Sequence, residues 1–305
     1  MAVMDNPLSK ACRIEGERFR NNLVKDLGGI IAARGNDPDQ WTKKKFNNIN
    51  YKIDPSLTTK GANGEHKISK SGDHEIIFPS NMVYTKTHAH EVAHVIASGD
   101  IEQIEDNGIV LETYRNGFTT SQRKQGEEKF FGTNNLGRSE AGMDLIAEIM
   151  LGYEIPDYRE KGTTGPGIQE CKFLERQIKN LFGKDTYFDS LIFDPKILDE
   201  KMQALLKTQP HSLYGARVSS NYAIQCDMIH AGNHVGEAYR DALRAIIRMY
   251  GAPILLAKDQ NELQVARANF AKYLDSLVLD EKFFGKETRT TINQYKDQKR
   301  EELLK

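Results

Sequence analysis

Cysteine is scarce. Cys12, Cys171 and Cys226 lie far apart, and no two of them form a CxxC pair. A disulfide framework is therefore not expected, and free thiols in a reducing compartment are. Long apolar runs are also missing. None approaches the length that crosses a bilayer, so no membrane partner is expected. The segment Met1–Pro7 lacks a basic stretch followed by an apolar core, so it does not read as a secretory signal. The expected location is the cytoplasm, or outside it by a route without a classical signal peptide. An excess of charge of one sign is lacking too. With 42 Lys and Arg against 43 Asp and Glu, the net charge is −1, and nucleic acid is not an expected partner. There is no internal repeat and no low-complexity tract. A chain of 305 residues can still bury a sizeable core, as one large or two modest domains.

Against this plain background one stretch stands out: Thr87-His88-Ala89-His90-Glu91-Val92-Ala93-His94-Val95-Ile96-Ala97-Ser98-Gly99. It contains His90-Glu91-x-x-His94. On an α-helix, residues four apart share a face, with Cβ atoms about 5–6 Å apart. His90 and His94 can turn two imidazoles toward one metal ion, and Glu91 lies beside that face, within reach of a water at the metal. His88, two residues earlier, points away. Thr85 or Thr87 can cap the helix and Gly99 can stop it. The pattern arises by chance in roughly one chain of this length in a hundred. Here it falls in a mostly apolar helix, after the strand-like run His74–Pro79. Two histidines and a glutamate on such a helix are costly to bury unless something binds them, and zinc is the simplest candidate.

A third ligand lies further on. Ser139–Met150 reads as a second helix, with Glu140 and Asp144 again four apart on one face. Glu140 can complete a His, His, Glu site and leave one position for water. Asp144 can accept a hydrogen bond from a ligand histidine and so fix its tautomer. Paired acids on a helix are usually a solvated face, but Ala141, Leu145, Ile146, Ile149 and Met150 leave little room for a polar helix.

Together the two motifs resemble the gluzincin metallopeptidases, the thermolysin-like clan. There HExxH sits on one helix, and a later helix carries a segment such as Asn-Glu-Ala-x-Ser-Asp whose Glu binds zinc. Ser139–Asp144 matches that segment with Ser in place of Asn. The resemblance covers residues 74–152. It implies a strand at the edge of a sheet, ahead of the HExxH helix, that holds the substrate; residues 74–79 or 81–85 are the candidates. The 45 residues between His94 and Glu140 exceed what thermolysin uses, and Gly108–Phe118 reads as a hairpin inserted there. The arrangement is more similar to bacterial gluzincin families than to thermolysin itself.

The rest of the chain sets the architecture. Residues 9–34 read as a helix with apolar positions at Ile14, Phe19, Leu23, Leu27, Ile30 and Ile31. Residues 35–40 read as polar linker, Lys43-Lys44-Lys45 as solvated surface, and 54–73 as loop around short strands, with His66 on the surface. Asp100–Asp106 is an acidic patch, and 119–135 a polar loop near the site. Helical periodicity dominates beyond Gly152: 168–182, 195–207, 221–250, 261–279 and 286–304. The expected fold class is α+β and zincin-like. Residues 1–155 form a catalytic lobe with an N-terminal helix, a small mixed sheet, the HExxH helix and the Glu-bearing helix. Residues 156–305 form a mainly helical lobe.

The expected function is a zinc-dependent peptidase acting on a peptide or protein substrate. Zinc lowers the pKa of a water to about 7, and Glu91 takes its proton as general base. His230, His234 and Tyr214 are candidates to stabilise the oxyanion, with Tyr222 as a competing donor. His230 and His234, with Glu237, could instead form a second metal site, though a plain structural role is favoured for both histidines. The alternative reading is a catalytically silent, zinc-containing module that binds peptides or proteins. The presence of Glu91 argues against it.

Overall fold

A computed structural model describes residues 7–60, 62–69, 73–106, 109–125, 127, 135–155, 168–207, 215–232, 235–279, 281 and 284–304. Among these residues the chain is α+β, with two three-stranded sheets and a predominance of helix. It divides into two compact units. The first holds residues 1–134, 139–165 and 187–195, and the second holds 135–138, 166–186 and 196–305. Residues 187–195, expected in a helical lobe that begins at residue 156, group with the first unit.

The first unit opens with helix α1 (Pro7–Ala33). Leu8, Cys12, Phe19, Leu23, Leu27, Ile30 and Ile31 recur at helical spacing and are buried. Ile14 falls off that stripe and is exposed. Helix α2 (Pro38–Asn47) follows where a linker was expected. Its start is encoded locally: Asp37 caps the helix by accepting from the Gln40 amide, and Pro38 occupies the first turn, where a missing N–H costs nothing.

The first sheet comprises β1 (Ile49–Ile53), then, after the short helix α3 (Ser56–Thr59), β2 (Glu65–Ile68) and β3 (His74–Phe78). Its order is β1-β3-β2, with β1 parallel and β2 antiparallel to β3, so the sheet is mixed. Ile76, Ile77 and Phe78 are buried, as befits a strand with a neighbour on each side. This corrects the expected edge. Residues 74–78 form the central strand and 81–84 form no strand, so the edges are β1 and β2.

Helix α4 (Thr85–Ala97) packs against β2 and β3. Tyr84, not a threonine, is its N-cap residue, and the helix ends at Ser98. The second sheet comprises β4 (Glu102–Asp106), β5 (Ile109–Asn116) and β6 (Thr119–Lys124), an antiparallel meander in the order β4-β5-β6. The expected hairpin thus gains a third strand from the acidic patch, and its return strand is longer, reaching into the stretch read as loop. The β5–β6 turn is the two residues Gly117-Phe118, and Gly117 takes the positive φ of 61° that such a tight hairpin needs. Helix α5 (Leu136–Leu151) then carries Glu140 and Asp144 on the part that belongs to the first unit.

Past helix α6 (Ile168–Phe182), helix α7 (Lys184–Ile192) belongs to the first unit from Tyr187 onward, with Tyr187, Phe188 and Leu191 buried. The second unit holds α6 and the helices α8 (Pro195–Lys207), α9 (Gly215–His230), α10 (Val235–Leu256), α11 (Gln260–Ser276) and α12 (Lys286–Leu304). The single helix expected over 221–250 is two, α9 and α10. The break includes Gly232, whose φ of 74° is left-handed and incompatible with a continuing helix. Among the described residues no helix is long and apolar enough to cross a membrane.

Candidate metal centre

Three side-chain atoms converge in the first unit. His90 Nε2 lies 3.3 Å from His94 Nε2 and 3.2 Å from Glu140 Oε2, and His94 Nε2 lies 3.6 Å from that same oxygen. Ligands about 2.0–2.1 Å from a tetrahedral zinc stand about 3.3–3.4 Å apart. The triangle therefore has the dimensions of three corners of such a site. The three side chains are 11–19% exposed, which leaves a side open to solvent.

The helices that present these atoms are held by the second sheet. The Gly117 amide donates to the Ala97 carbonyl and the Gly99 amide to the Arg115 carbonyl, so the far end of β5 is hydrogen-bonded to the end of α4. The Arg115 guanidinium donates to the carbonyls of Ala97, Gly117, Leu191 and Ile192. On the other side, the Thr119 and Ser139 hydroxyls are 2.7 Å apart, and the Ser139 hydroxyl also reaches the Asn116 carbonyl at 3.3 Å. One hairpin thus fixes the end of the helix bearing His90 and His94 and the start of the segment bearing Glu140. Helix α1 adds a further tie through Asn22, which donates to the Met150 carbonyl.

Each histidine uses its remaining nitrogen. His90 Nδ1 lies 2.8 Å from Asp144 Oδ1, and His94 Nδ1 lies 3.4 Å from Asn116 Oδ1. A carboxylate on Nδ1 holds that nitrogen as the N–H and leaves Nε2 to point its lone pair at the centre of the triangle. Burial opposes charge on His90, yet Asp144 and Glu140 outweigh it and hold its pKa well above the usual range. Burial is likewise outweighed at Glu140, where His94 and His90 keep the carboxyl well below its usual range. The carboxylates thus favour charge on the histidines, and the histidines favour the ionised form of Glu140.

Glu91 is 7% exposed, and burial, aided by Glu140 and Glu65 against His90 and His94, pushes its pKa up. Its carboxylate faces the start of β2. A Cβ on Gly64 would come within 2.9 Å of Glu91 Oε1 and of Thr87 Cγ2, so any larger residue there would have to push these side chains aside.

His66, expected on the surface, is half-buried on β2 and belongs to this neighbourhood. Its ring is parallel to that of His94 within 3°, with centroids 5.7 Å apart, and its Nε2 lies 3.0 Å from His74 Nδ1. Its exposure was misjudged because β2 is defined by pairing with β3, a contact eight residues away. His88 points away from the triangle as expected. It is fully buried, with Nδ1 on Glu15 and Nε2 on Tyr51.

His230 is the last residue of α9, in the second unit. Tyr222 is also in the second unit, buried, and its hydroxyl donates to Glu175 Oε1 at 2.9 Å, which corrects its proposed role as a free donor. Tyr214 and His234 lie outside the described residues. Among the described residues, His90, His94 and Glu140 form the one metal-competent group of three.

No family model, curated protein or solved structure matches the chain. The likeness to gluzincins is carried by the two motifs alone.

Proposed function

We propose that the protein is a zinc-dependent peptidase with His90, His94 and Glu140 as metal ligands and Glu91 as general base. The observation that carries this reading is the Nε2, Nε2, Oε2 triangle of zinc dimensions with a buried glutamate on the same helix. A zinc ion held there would acidify a water to a pKa of about 7 and polarise a substrate carbonyl. Glu91 takes the water's proton as its oxygen attacks the carbonyl, then returns it to the leaving amine. The upward pKa of Glu91 suits this, because a base works best when its pKa is near the working pH. Asp144 keeps His90 in the tautomer that leaves Nε2 free for the metal.

The edge strand β2 supports a peptide substrate. Among the described residues it pairs with β3 alone, so its other ladder edge is open. An extended peptide can add there, with main-chain hydrogen bonds supplying affinity and side-chain pockets supplying selectivity. Gly64 brings that strand up to Glu91, which fits a scissile bond lying beside the base. The three cysteines are free and buried, which supports action in a reducing compartment.

The test is a cleavage-site profile on a complex peptide mixture, with the wild-type chain and Glu91→Gln side by side. Glu91→Gln preserves shape but cannot accept a proton, so cleavage should fall by at least ~10²-fold while zinc content holds. No cleavage by the wild type, together with equal peptide binding by both forms, would leave the silent binding module as the correct reading.

A further inference from the structure

We propose that the cavity beside the carboxyl end of α4 binds a small organic anion, a carboxylate or phosphate carried on a flat apolar body. The cavity has a volume of about 630 Å³, within the usual range for small-molecule sites. Its lining includes Trp41, Lys44, Lys45, His74, Arg115 and Phe193, and none of the metal ligands or Glu91. This site is independent of the peptidase reading.

The charge of the lining points to an anion. Lys45 Nζ lies 2.6 Å from the Ser98 carbonyl and 3.4 Å from its hydroxyl. Arg115 is bound entirely through carbonyl oxygens. Among the described residues, no carboxylate comes within ion-pair distance of either cation. Glu112, also on the lining, is taken by Arg123 at 2.6 Å. Asp100, itself on the lining, and Glu102 and Asp194 act on these cations from beyond ion-pair distance.

The plain alternative is that Lys45 and Arg115 merely cap the last carbonyls of α4. A helix C-terminus carries roughly half a negative charge. Arg115 also meets the end of α7 through the Leu191 and Ile192 carbonyls, so two helix ends and Asp100 stand against Lys45, Arg115 and the exposed Lys44 on the same lining, roughly two negative charges against three positive. Burial pushes the Lys45 ammonium down to about 8, the sign of a cation short of a counter-charge. His74 does not add to the excess, because burial, with Lys45 nearby, pushes its imidazole down to about 4.

The apolar part of the ligand follows from the aromatic wall. Trp41 and Phe193 stand with ring centroids 5.6 Å apart, and Lys45 Nζ lies 5.6 Å from the Trp41 ring centroid. A ligand whose anionic group meets Lys45 would lay its flat body along Trp41.

Trp41 is the single tryptophan of the chain, so its emission reports this cavity alone. The full-length protein would be titrated with phenyl phosphate, phenylacetate, inorganic phosphate and, as the neutral control, benzyl alcohol. The expected result is a saturable change with at least one aromatic anion, a weaker one with inorganic phosphate, and none with benzyl alcohol. Phenyl phosphate against phenylacetate separates the phosphate source from the carboxylate source. Lys45→Met should weaken the response by roughly tenfold or more, as loss of a charged hydrogen bond does. An unchanged titration in Lys45→Met, a response to benzyl alcohol equal to that of the anions, or no saturable change with any anion overturns the proposal. Lys45→Met also removes a contact to Ser98. If circular dichroism shows it unfolded, the exposed Lys44→Ala decides: a several-fold loss of affinity supports the site and an unchanged affinity refutes it.

Discussion

The imidazoles of His66 and His94 lie parallel within 3°, with their centroids 5.7 Å apart. One ring stands on an edge strand and the other on the HExxH helix. The contact links the position of β2 to the aim of a proposed metal ligand. His66 is in turn held by His74 on the central strand, so the sheet sets the ring that sets His94.

That link has a measurable consequence. An offset ring stack is worth about 0.5–1.5 kcal/mol, which converts to a few-fold up to about tenfold in an equilibrium constant. His66→Ala should weaken zinc binding by that factor while far-ultraviolet circular dichroism stays unchanged. Competition with a zinc-chelating dye checks it. Unchanged affinity would mean that His94 is aimed by Asn116 and the helix alone.

Metal content tests the triangle itself. Purified wild-type protein should carry one zinc per chain by elemental analysis. His90→Ala combined with His94→Ala should carry none, because a lone carboxylate at Glu140 offers one ligand of the three a protein site needs. Zinc that persists in the double variant would place the site elsewhere.

In the proposed site Asp144 would act on zinc only through His90. Asp144→Asn keeps the size of the side chain but removes the charge that favours the N–H on Nδ1. The expected loss is roughly 10–100-fold in zinc affinity or in turnover, without unfolding. A variant that binds zinc and turns over as wild type does would reduce Asp144 to a structural partner.

Both constellations of this centre were legible in the sequence because each depends on a local rule. His90 and His94, and Glu140 and Asp144, are four apart on helices, and helical spacing alone puts each pair on one face. The start of α2 was also written locally, in Asp37-Pro38, but the polar composition around it read as linker. What could not be read depends on distant pairing. β2 has Ile68 as its one aliphatic residue and is a strand because it hydrogen-bonds to β3. With β2 goes the identity of the edge, the close approach of Gly64 to Glu91, and the burial of His66. Lys45 gives the same lesson. In the run Lys43-Lys44-Lys45 it reads as surface, yet its Nζ lies against a carbonyl at residue 98, more than fifty positions away.

The last prediction concerns the far face of α4, where the fold and not the chemistry is at stake. Glu15 Oε2 lies 2.6 Å from Nδ1 of the fully buried His88, whose Nε2 lies 3.0 Å from the Tyr51 hydroxyl. Burial tends to raise the Glu15 pKa, but the hydrogen bonds from His88 and Thr85 and the charges of His88 and Arg18 outweigh it and leave the pKa lowered. A carboxyl whose folded pKa lies below its unfolded one stabilises the fold above the unfolded value, near 4.3. It loses that contribution as pH falls through the folded value, because the unfolded chain then binds the proton first. Glu15→Gln should therefore lower stability by about 1–2 kcal/mol at neutral pH. The difference from wild type should shrink as pH drops below about 4. Urea midpoints measured for both proteins across that range check it. A difference that stays constant with pH would show that Glu15 holds His88 by shape and hydrogen bonding, with no part for its charge.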